Sequence, residues 1–355
     1  MGLVLFLMAA LWALGWAMKT PIRARLIMIG LVYVAVVLAQ LVLPPEAELR
    51  RATGGDVRVW LVLGGAAGLA WLYWLLVARL RARSVDTTQQ GEALPRADSF
   101  REAELHRYAR HIVLREIGGA GQKKLKAARV LVVGAGGLGS PAMLYLAAAG
   151  VGTIGVIDDD AVDGTNLQRQ VIHTDARIGM PKVFSAEAQM RALNPFVEIR
   201  PYHRRLSEEI AAELFAEYDL ILDGTDNFDT RYLTNRAAVA AGKPLISAAI
   251  TQWEGQISLY DPAQGSPCYE CVFPTRPAPG LAPACAEAGV ISPLPGVLGT
   301  MMALEAVKHI TGAGSTLAGR LLIYDGLYAD TRQMRIARRP DCACCGSITA
   351  EPASA

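Results

Sequence analysis

A chain of 355 residues has room for two to three domains at about 100–200 residues each. Hydrophobic residues make up 52% of it and charged residues 19%, against about 25% charge in an ordinary soluble domain, and the mean hydropathy of +0.27 excludes a disordered or collagen-like chain. A net charge of +2 provides no basic field for nucleic acid, and six cysteines that all fall between 268 and 345 exclude an evenly stapled secreted scaffold.

The apolar excess sits at the N-terminus, where only nine of the 68 charged residues fall in the first 78 positions. Gly2–Met18, Leu26–Leu43 and Val59–Ala78 contain no charged residue at all. A helix rising about 1.5 Å per residue needs about 20 residues to cross ~30 Å of hydrocarbon. The three segments therefore predict three transmembrane helices, with residues 1–83 as an anchor. Five of the six tryptophans (Trp12, Trp16, Trp60, Trp71 and Trp74) lie here, several near segment ends, where an amphipathic ring favours the interface. A signal peptide does not suit the first segment, because Met-Gly-Leu supplies no basic leader and Lys19, Arg23 and Arg25 come after it. Those three residues, with Arg79, Arg81 and Arg83 after the third segment, put the first loop and everything beyond residue 78 on the cytoplasmic side of an inner membrane. Gly64 and Gly68 would let two helices approach closely.

Residues 84–98 are polar and read as a linker. Ser99 and Glu102 then suggest a capping box for a helix over 100–116, ended by Gly118-Gly119. Beyond it, strands are predicted at 129–133, 153–157, 219–223, 244–247 and 256–260, with helices at 138–149, 207–217 and 228–241. This alternation predicts an α/β domain over 99–346, a Rossmann-like, doubly wound parallel sheet. Residues 347–355 read as a flexible tail.

Gly134-Ala-Gly136-Gly137-Leu-Gly139 comes directly after the first strand of that domain and opens a helix. Glycines there allow a tight turn and bring backbone N–H groups against a phosphate at the helix N-terminus. Asp158 ends the next strand, where an acid can bind ribose hydroxyls; Asp159 and Asp160 flank it, and the sequence does not say which of the three points inward. This much predicts a nucleotide, with NAD the default and a nicotinamide-dependent oxidoreductase the alternative function. The next motifs along the chain suit a triphosphate better. Asn166-Leu-Gln-Arg169-Gln170 and Lys182 bring cations near the glycine turn. Asp223-Gly-Thr-Asp226-Asn227 lies at the ligand-binding end of another strand, where a carboxylate can hold Mg²⁺ or simply cap the next helix. Cys268-x-x-Cys271 and Cys342-x-x-Cys345 can make the two knuckles of a Cys₄ zinc site, at a longer separation than in a compact zinc finger, the alternative being disulfides, which suit a cytoplasmic domain less well.

Arg107-Tyr-Ala-Arg110-His, the run Val132 to Gly139, Asn166-Leu-Gln-Arg-Gln170, Lys182, Asp223-Gly-Thr-Asp226-Asn227 and the two Cys-x-x-Cys pairs, in this order, resemble the HesA/MoeB/ThiF family. The resemblance covers about residues 100–346. It implies an enzyme that uses ATP and Mg²⁺ to adenylate the C-terminal glycine of a small β-grasp sulfur-carrier protein ending in Gly-Gly, releasing pyrophosphate. It implies Asp158 at the ribose, Asn166, Arg169 and Lys182 at the phosphates, and Asp226 at Mg²⁺, with Asn227 beside it. It also implies a structural Zn²⁺ on Cys268, Cys271, Cys342 and Cys345. Arg110 matches a position that reaches into a partner subunit's site, which implies a homodimer. Cys285 matches a position that in some relatives bonds covalently to the carrier. The chemistry needs no strong general base, because a carboxylate nucleophile is ionised at pH 7, and the chain has only five histidines.

Two departures stand out. His111 replaces the usual Gln, and the apolar N-terminal segment is foreign to soluble members. No rhodanese domain is expected after residue 346, so in a sulfur pathway sulfur delivery is expected from another protein. A third reading is a membrane-bound, non-catalytic scaffold of the same fold, against which no residue of the nucleotide set is lost. The acceptor pathway and the role of Cys344 are not legible in the sequence.

Overall fold

The computed structural model describes residues 2–44, 46–54, 56–90, 99–277 and 289–348. The chain divides into two compact units, Met1–Leu94 and Pro95–Ala355.

The first unit is helical, with helices at Gly2–Ala17, Ile22–Val42, Glu48–Ala52 and Val57–Gln90. Within them Ala24–Val42 and Val57–Val77 are long and apolar enough to cross a membrane, so two spans replace the expected three. The first helix has 16 residues, which at about 1.5 Å each falls short of ~30 Å of hydrocarbon. Only 17% and 6% of the two span windows are buried, unlike the core helices of a soluble domain; Val62, Leu69 and Trp71 stand open. Val4, Val36 and Trp60 form a small internal cluster. Gly64 lets Tyr33 cross closely, since a Cβ there would lie 2.0 Å from the Tyr33 hydroxyl, which donates to the Trp60 carbonyl at 2.7 Å. Gly68 has no such neighbour. The helix that begins at Val57 continues to Gln90, into the expected 84–98 linker, because no glycine or proline falls between Gly68 and Gly91 to interrupt it.

The second unit is built on one eight-stranded sheet: β1 (Arg129–Val133), β2 (Thr153–Ile157), β3 (Glu198–Tyr202), β4 (Leu220–Asp223), β5 (Leu245–Thr251), β6 (Glu254–Tyr260), β7 (Arg320–Asp325) and β8 (Asp330–Arg335). The spatial order is β3-β2-β1-β4-β5-β6-β7-β8. β1 to β5 run parallel, whereas β6, β7 and β8 join antiparallel. The all-parallel expectation is thus corrected to a mixed sheet. The cause is local: β5 returns as β6 through a two-residue turn, Gln252-Trp253, too short for a helical crossover.

Apart from Arg129 at the start of β1, Thr153 at the start of β2 and Asp223 at the end of β4, these three strands are apolar and buried on both faces, as a sheet covered on two sides requires. Val130, Val132, Ile154 and Val156 point to one face, with Met143, Leu146, Met190, Leu298 and Met302. Leu131, Val133, Ile157 and Ile221 point to the other, with Leu214, Phe215, Tyr218 and Tyr232. The helices Gly139–Ala149, Lys182–Leu193 and Pro293–Thr311 cover the first face, and Glu208–Ala216 and Phe228–Ala240 the second. Gly118-Gly119 begins a helix, Gly118–Ala127, where a stop was expected; the preceding helix is Glu102–Ile112. Its N-terminus is held by Glu104, which accepts from Arg101 N, and not by the Ser99–Glu102 pair. In the expected tail, Ile348 still packs on the cysteine cluster.

Candidate active site

In a sheet of this order the connections leave β1 and β4 toward opposite faces, opening a crevice at their carboxyl ends. Two loops meet there. Gly134 has φ +95° and Gly139 closes on it, since a Cβ at Gly139 would lie 2.0 Å from the Gly134 oxygen. Glycine at both positions lets the loop turn and the helix behind it pack against the strand end.

A cleft of about 800 Å³ opens over these loops. Gly134, Gly136, Gly137, Asp158, Arg169, Lys182, Asp226 and Asn227 all line it, so the structure brings together most of the residues singled out for nucleotide binding. Asp158 is the acid that points inward: its carboxylate accepts from Ala135 N at 2.7 Å and Asp160 N at 2.8 Å. Burial raises its pKa above the ordinary carboxylate range despite these bonds and the nearby Lys182. Asp160 is exposed and holds Lys182, Nζ to Oδ2 at 2.7 Å, with the lysine side chain itself buried. Asn166 sits outside the described lining and works through its neighbour, accepting from Arg169 Nη2 at 2.8 Å. Gln170 is buried against Gly136, and its Oε1 has no hydrogen-bond partner among the described residues. Asn227 caps the helix Phe228–Ala240, accepting from Thr230 N at 2.9 Å. Asp226 is exposed at the rim. Gly139 shapes the loop from behind, and Arg110 is exposed on the helix Glu102–Ile112, away from the described lining of its own chain's cleft. Cys285 lies outside the described residues.

Beneath the loop after β4, Asp223 is fully buried and accepts from Thr225 N, Thr225 Oγ1 and Ser247 Oγ. Arg231 completes this network, with Nε 3.8 Å from Asp223 and Nη2 donating to Thr225 O at 2.6 Å. Asp223 does not cap the next helix, which Asn227 caps; its hydrogen bonds order the loop that carries Asp226. Arg231 lines the cleft and was missed in the sequence, where only its place one turn inside a helix at a strand end marks it.

The sulfurs of Cys268, Cys271, Cys342 and Cys345 lie within 4.8 Å of one another, and all four residues are buried. Thiolates held ~2.3 Å from a tetrahedral Zn²⁺ stand about 3.8 Å apart; the separations here are 3.8, 3.6 and 3.3 Å for the pairs 268–271, 268–342 and 271–345. The cluster can therefore hold zinc. Cys344 is half-buried and accepts from Asn235 Nδ2 at 3.3 Å, while Asn235 Oδ1 accepts from Tyr269 N. Asn235, also missed in the sequence, thus pins the first knuckle to the helix Phe228–Ala240.

Comparison with known proteins adds a lineage. The ThiF family model matches residues 108–344. The sulfur carrier protein adenylyltransferase of Thermus thermophilus is 49% identical over 247 residues, covering 68% of this chain and 91% of that protein. The probable adenylyltransferase/sulfurtransferase MoeZ of Mycobacterium tuberculosis is 50% identical over 247 residues, and the adenylyltransferase and sulfurtransferase MOCS3 of Bos taurus 49% over 253. The match takes in 69% and 71% of this chain but spans only 63% and 55% of those two proteins. Among solved structures, E. coli MccB with ATP superposes with a TM-score of 0.60 at 23% identity, covering 68% of this chain and 75% of that one. PaaA gives 0.59 at 22%, covering 82% and 90%. At such identities the likeness is one of fold.

Proposed function

The chain belongs to the ThiF family, and from that membership and the cleft we propose an ATP-dependent adenylyltransferase that activates the C-terminal glycine carboxylate of a small ubiquitin-like sulfur carrier. The observation that carries this is the convergence of the glycine loop, Asp158, Arg169, Lys182 and Asp226 in one cleft. The carrier's carboxylate oxygen bonds to the α-phosphorus of ATP as the bond from that phosphorus to pyrophosphate breaks, leaving acyl-adenylate and pyrophosphate. Two anions must meet, so cations matter more than bases. Arg169 and Lys182 offset the repulsion and stabilise charge on the departing pyrophosphate, and Asp158 accepts from the ribose. Asp226 would hold Mg²⁺, which neutralises phosphate charge when bound. The same cations disfavour a nicotinamide site.

The finer points are part of this proposal. The domain spans 99–346, and Zn²⁺ on the four cysteines serves a structural role. Arg110 serves the cleft of a second copy in a homodimer, and Cys285 is available for a covalent link to the carrier. The first unit anchors the protein in the inner membrane, with the catalytic domain on the cytoplasmic side. The central test is ATP–pyrophosphate exchange by the full chain in detergent with Gly-Gly-terminated carriers. Exchange stimulated by such a carrier and lost when its last glycine is removed supports the assignment; a folded protein that exchanges with none of them overturns it. Release of the protein from membranes by alkaline carbonate would overturn the anchor.

A further inference from the structure

His173 belongs neither to the residues singled out for the nucleotide nor to the cysteine cluster, yet it is buried directly behind the glycine loop. Its Nε2 lies 2.9 Å from the Ala135 carbonyl oxygen and its Nδ1 2.9 Å from Ser185 Oγ. A carbonyl only accepts, so Nε2 carries the proton and Nδ1 accepts from the Ser185 hydroxyl. Burial, with Lys182 and Arg177 nearby, holds the imidazole below its ordinary pKa and keeps this neutral form in place.

Ala135 is gripped on both sides. Its N–H donates to Asp158 Oδ2 at 2.7 Å while its C=O accepts from His173. In a planar trans peptide the C=O of one residue and the N–H of the next point in opposite directions. With the Ala135 carbonyl turned back onto the imidazole, the Gly136 N–H is turned the other way, and Gly136 lines the cleft. The other ring nitrogen reaches Ser185, three residues beyond Lys182 on the helix Lys182–Leu193. Arg177 Nη1 holds that same turn by donating to Ser185 O at 3.0 Å. One side chain thus joins the glycine loop to the helix that carries Lys182.

We propose that His173 is a positioning residue for the phosphates of the nucleotide: it aims the Gly136 N–H into the cleft and keeps that loop in register with Lys182. This rests on the cleft being an ATP site. The test uses the full chain in detergent, with ATP affinity measured by calorimetry and KM values from carrier-stimulated exchange. His173→Leu fills the space without a donor, whereas the amide of His173→Gln can still donate to the Ala135 carbonyl. The leucine variant is expected to raise the KM for ATP by about tenfold, the scale of one lost hydrogen bond. It should leave the KM for carrier within about twofold, and the glutamine variant should recover most of the ATP affinity. A purely structural histidine would weaken both KM values together, or neither, and would not distinguish Gln from Leu at matched melting temperature; either pattern overturns the proposal. If His173→Leu does not fold, Ser185→Ala takes its place, with about threefold weaker ATP binding expected and an unchanged affinity overturning it. A folded wild-type protein that binds no ATP would instead overturn the adenylation reading itself.

Discussion

Asp223→Ala strikes the network on which the loop after β4 rests. The carboxylate is fully buried and accepts three hydrogen bonds, from Thr225 N at 3.0 Å, Thr225 Oγ1 at 2.6 Å and Ser247 Oγ at 2.8 Å. Its ionic partner is Arg231, whose side chain is only 6% exposed. Removing one member of a buried pair leaves the other charge uncompensated, at a cost of about 3–5 kcal/mol. Arg231 would keep only the Thr225 carbonyl and the Ser247 hydroxyl as hydrogen-bond partners in this network. In a unit of this size each kcal/mol moves the melting temperature by about 2–4 °C, so the alanine variant should melt roughly 6–20 °C lower. Scanning calorimetry of the full chain in detergent measures this. The double variant Asp223→Ala/Arg231→Met should regain part of the loss, because the orphaned guanidinium is gone. A shift below about 2 °C for Asp223→Ala, or strict additivity in the double variant, would refute the buried-pair argument.

Lys182→Met should cut ATP–pyrophosphate exchange by about 10²-fold or more, yet cost under about 1 kcal/mol of stability, because the Asp160 it releases is 66% exposed and stays solvated. Cys268→Ser should drop zinc, measured by mass spectrometry, from one atom per chain to none and lower the melting temperature; Cys344→Ser should retain the metal. Burial raises the pKa of Asp158, and in the proposed ATP site ribose hydroxyls would donate to its ionised form. ATP affinity should therefore fall as the pH drops through that raised pKa, by up to about tenfold per pH unit, and the pH dependence should flatten in Asp158→Asn. For folding the sign is opposite: an acid with a raised folded pKa costs stability in full above that pKa, and the cost shrinks as the pH falls through it and is gone only below the unfolded value.

The centre of the parallel half, β1, β2 and β4, was legible because it is buried on both faces. Arg129–Val133 and Thr153–Ile157 are short β-branched runs bounded by turn residues, and the structure reproduces both ranges. The antiparallel half was largely hidden. Asp330–Arg335 is an almost wholly exposed edge strand with no apolar alternation, and the turn at Gln252-Trp253 carries neither glycine nor asparagine. β3 was hidden by Pro201, which is tolerated because β3 is an edge strand. In the site, residue types at strand ends could be read, but partnerships could not. Nothing in the sequence says that Lys182 rests on Asp160, that Asn166 orients Arg169, or that Arg231 closes on Asp223 from the next helix. Those pairings are made by tertiary packing, which spacing along the chain does not encode.

The partnerships decide how the cleft can act. Four of the cations facing it each have a partner, Arg169 in Asn166, Lys182 in Asp160, Arg231 in Asp223 and Arg276 in Asp229, and of the three carboxylates only Asp223 is buried. Charges oriented before substrate arrives need little reorganisation as the transition state forms, which is where electrostatic stabilisation is largest. The cysteine cluster extends the same logic beyond the cleft. Tyr269 comes directly after Cys268; its N–H is fixed by Asn235, and its ring packs edge-on against Tyr232 and Tyr260 with Arg231 5.8 Å from its centre. A metal held by Cys268, Cys271, Cys342 and Cys345 would therefore fix the wall behind Arg231 as well as the segment 342–345. Its loss should loosen the arginine side of the cleft before it disturbs the glycine loop, which β1, Asp158 and His173 hold independently.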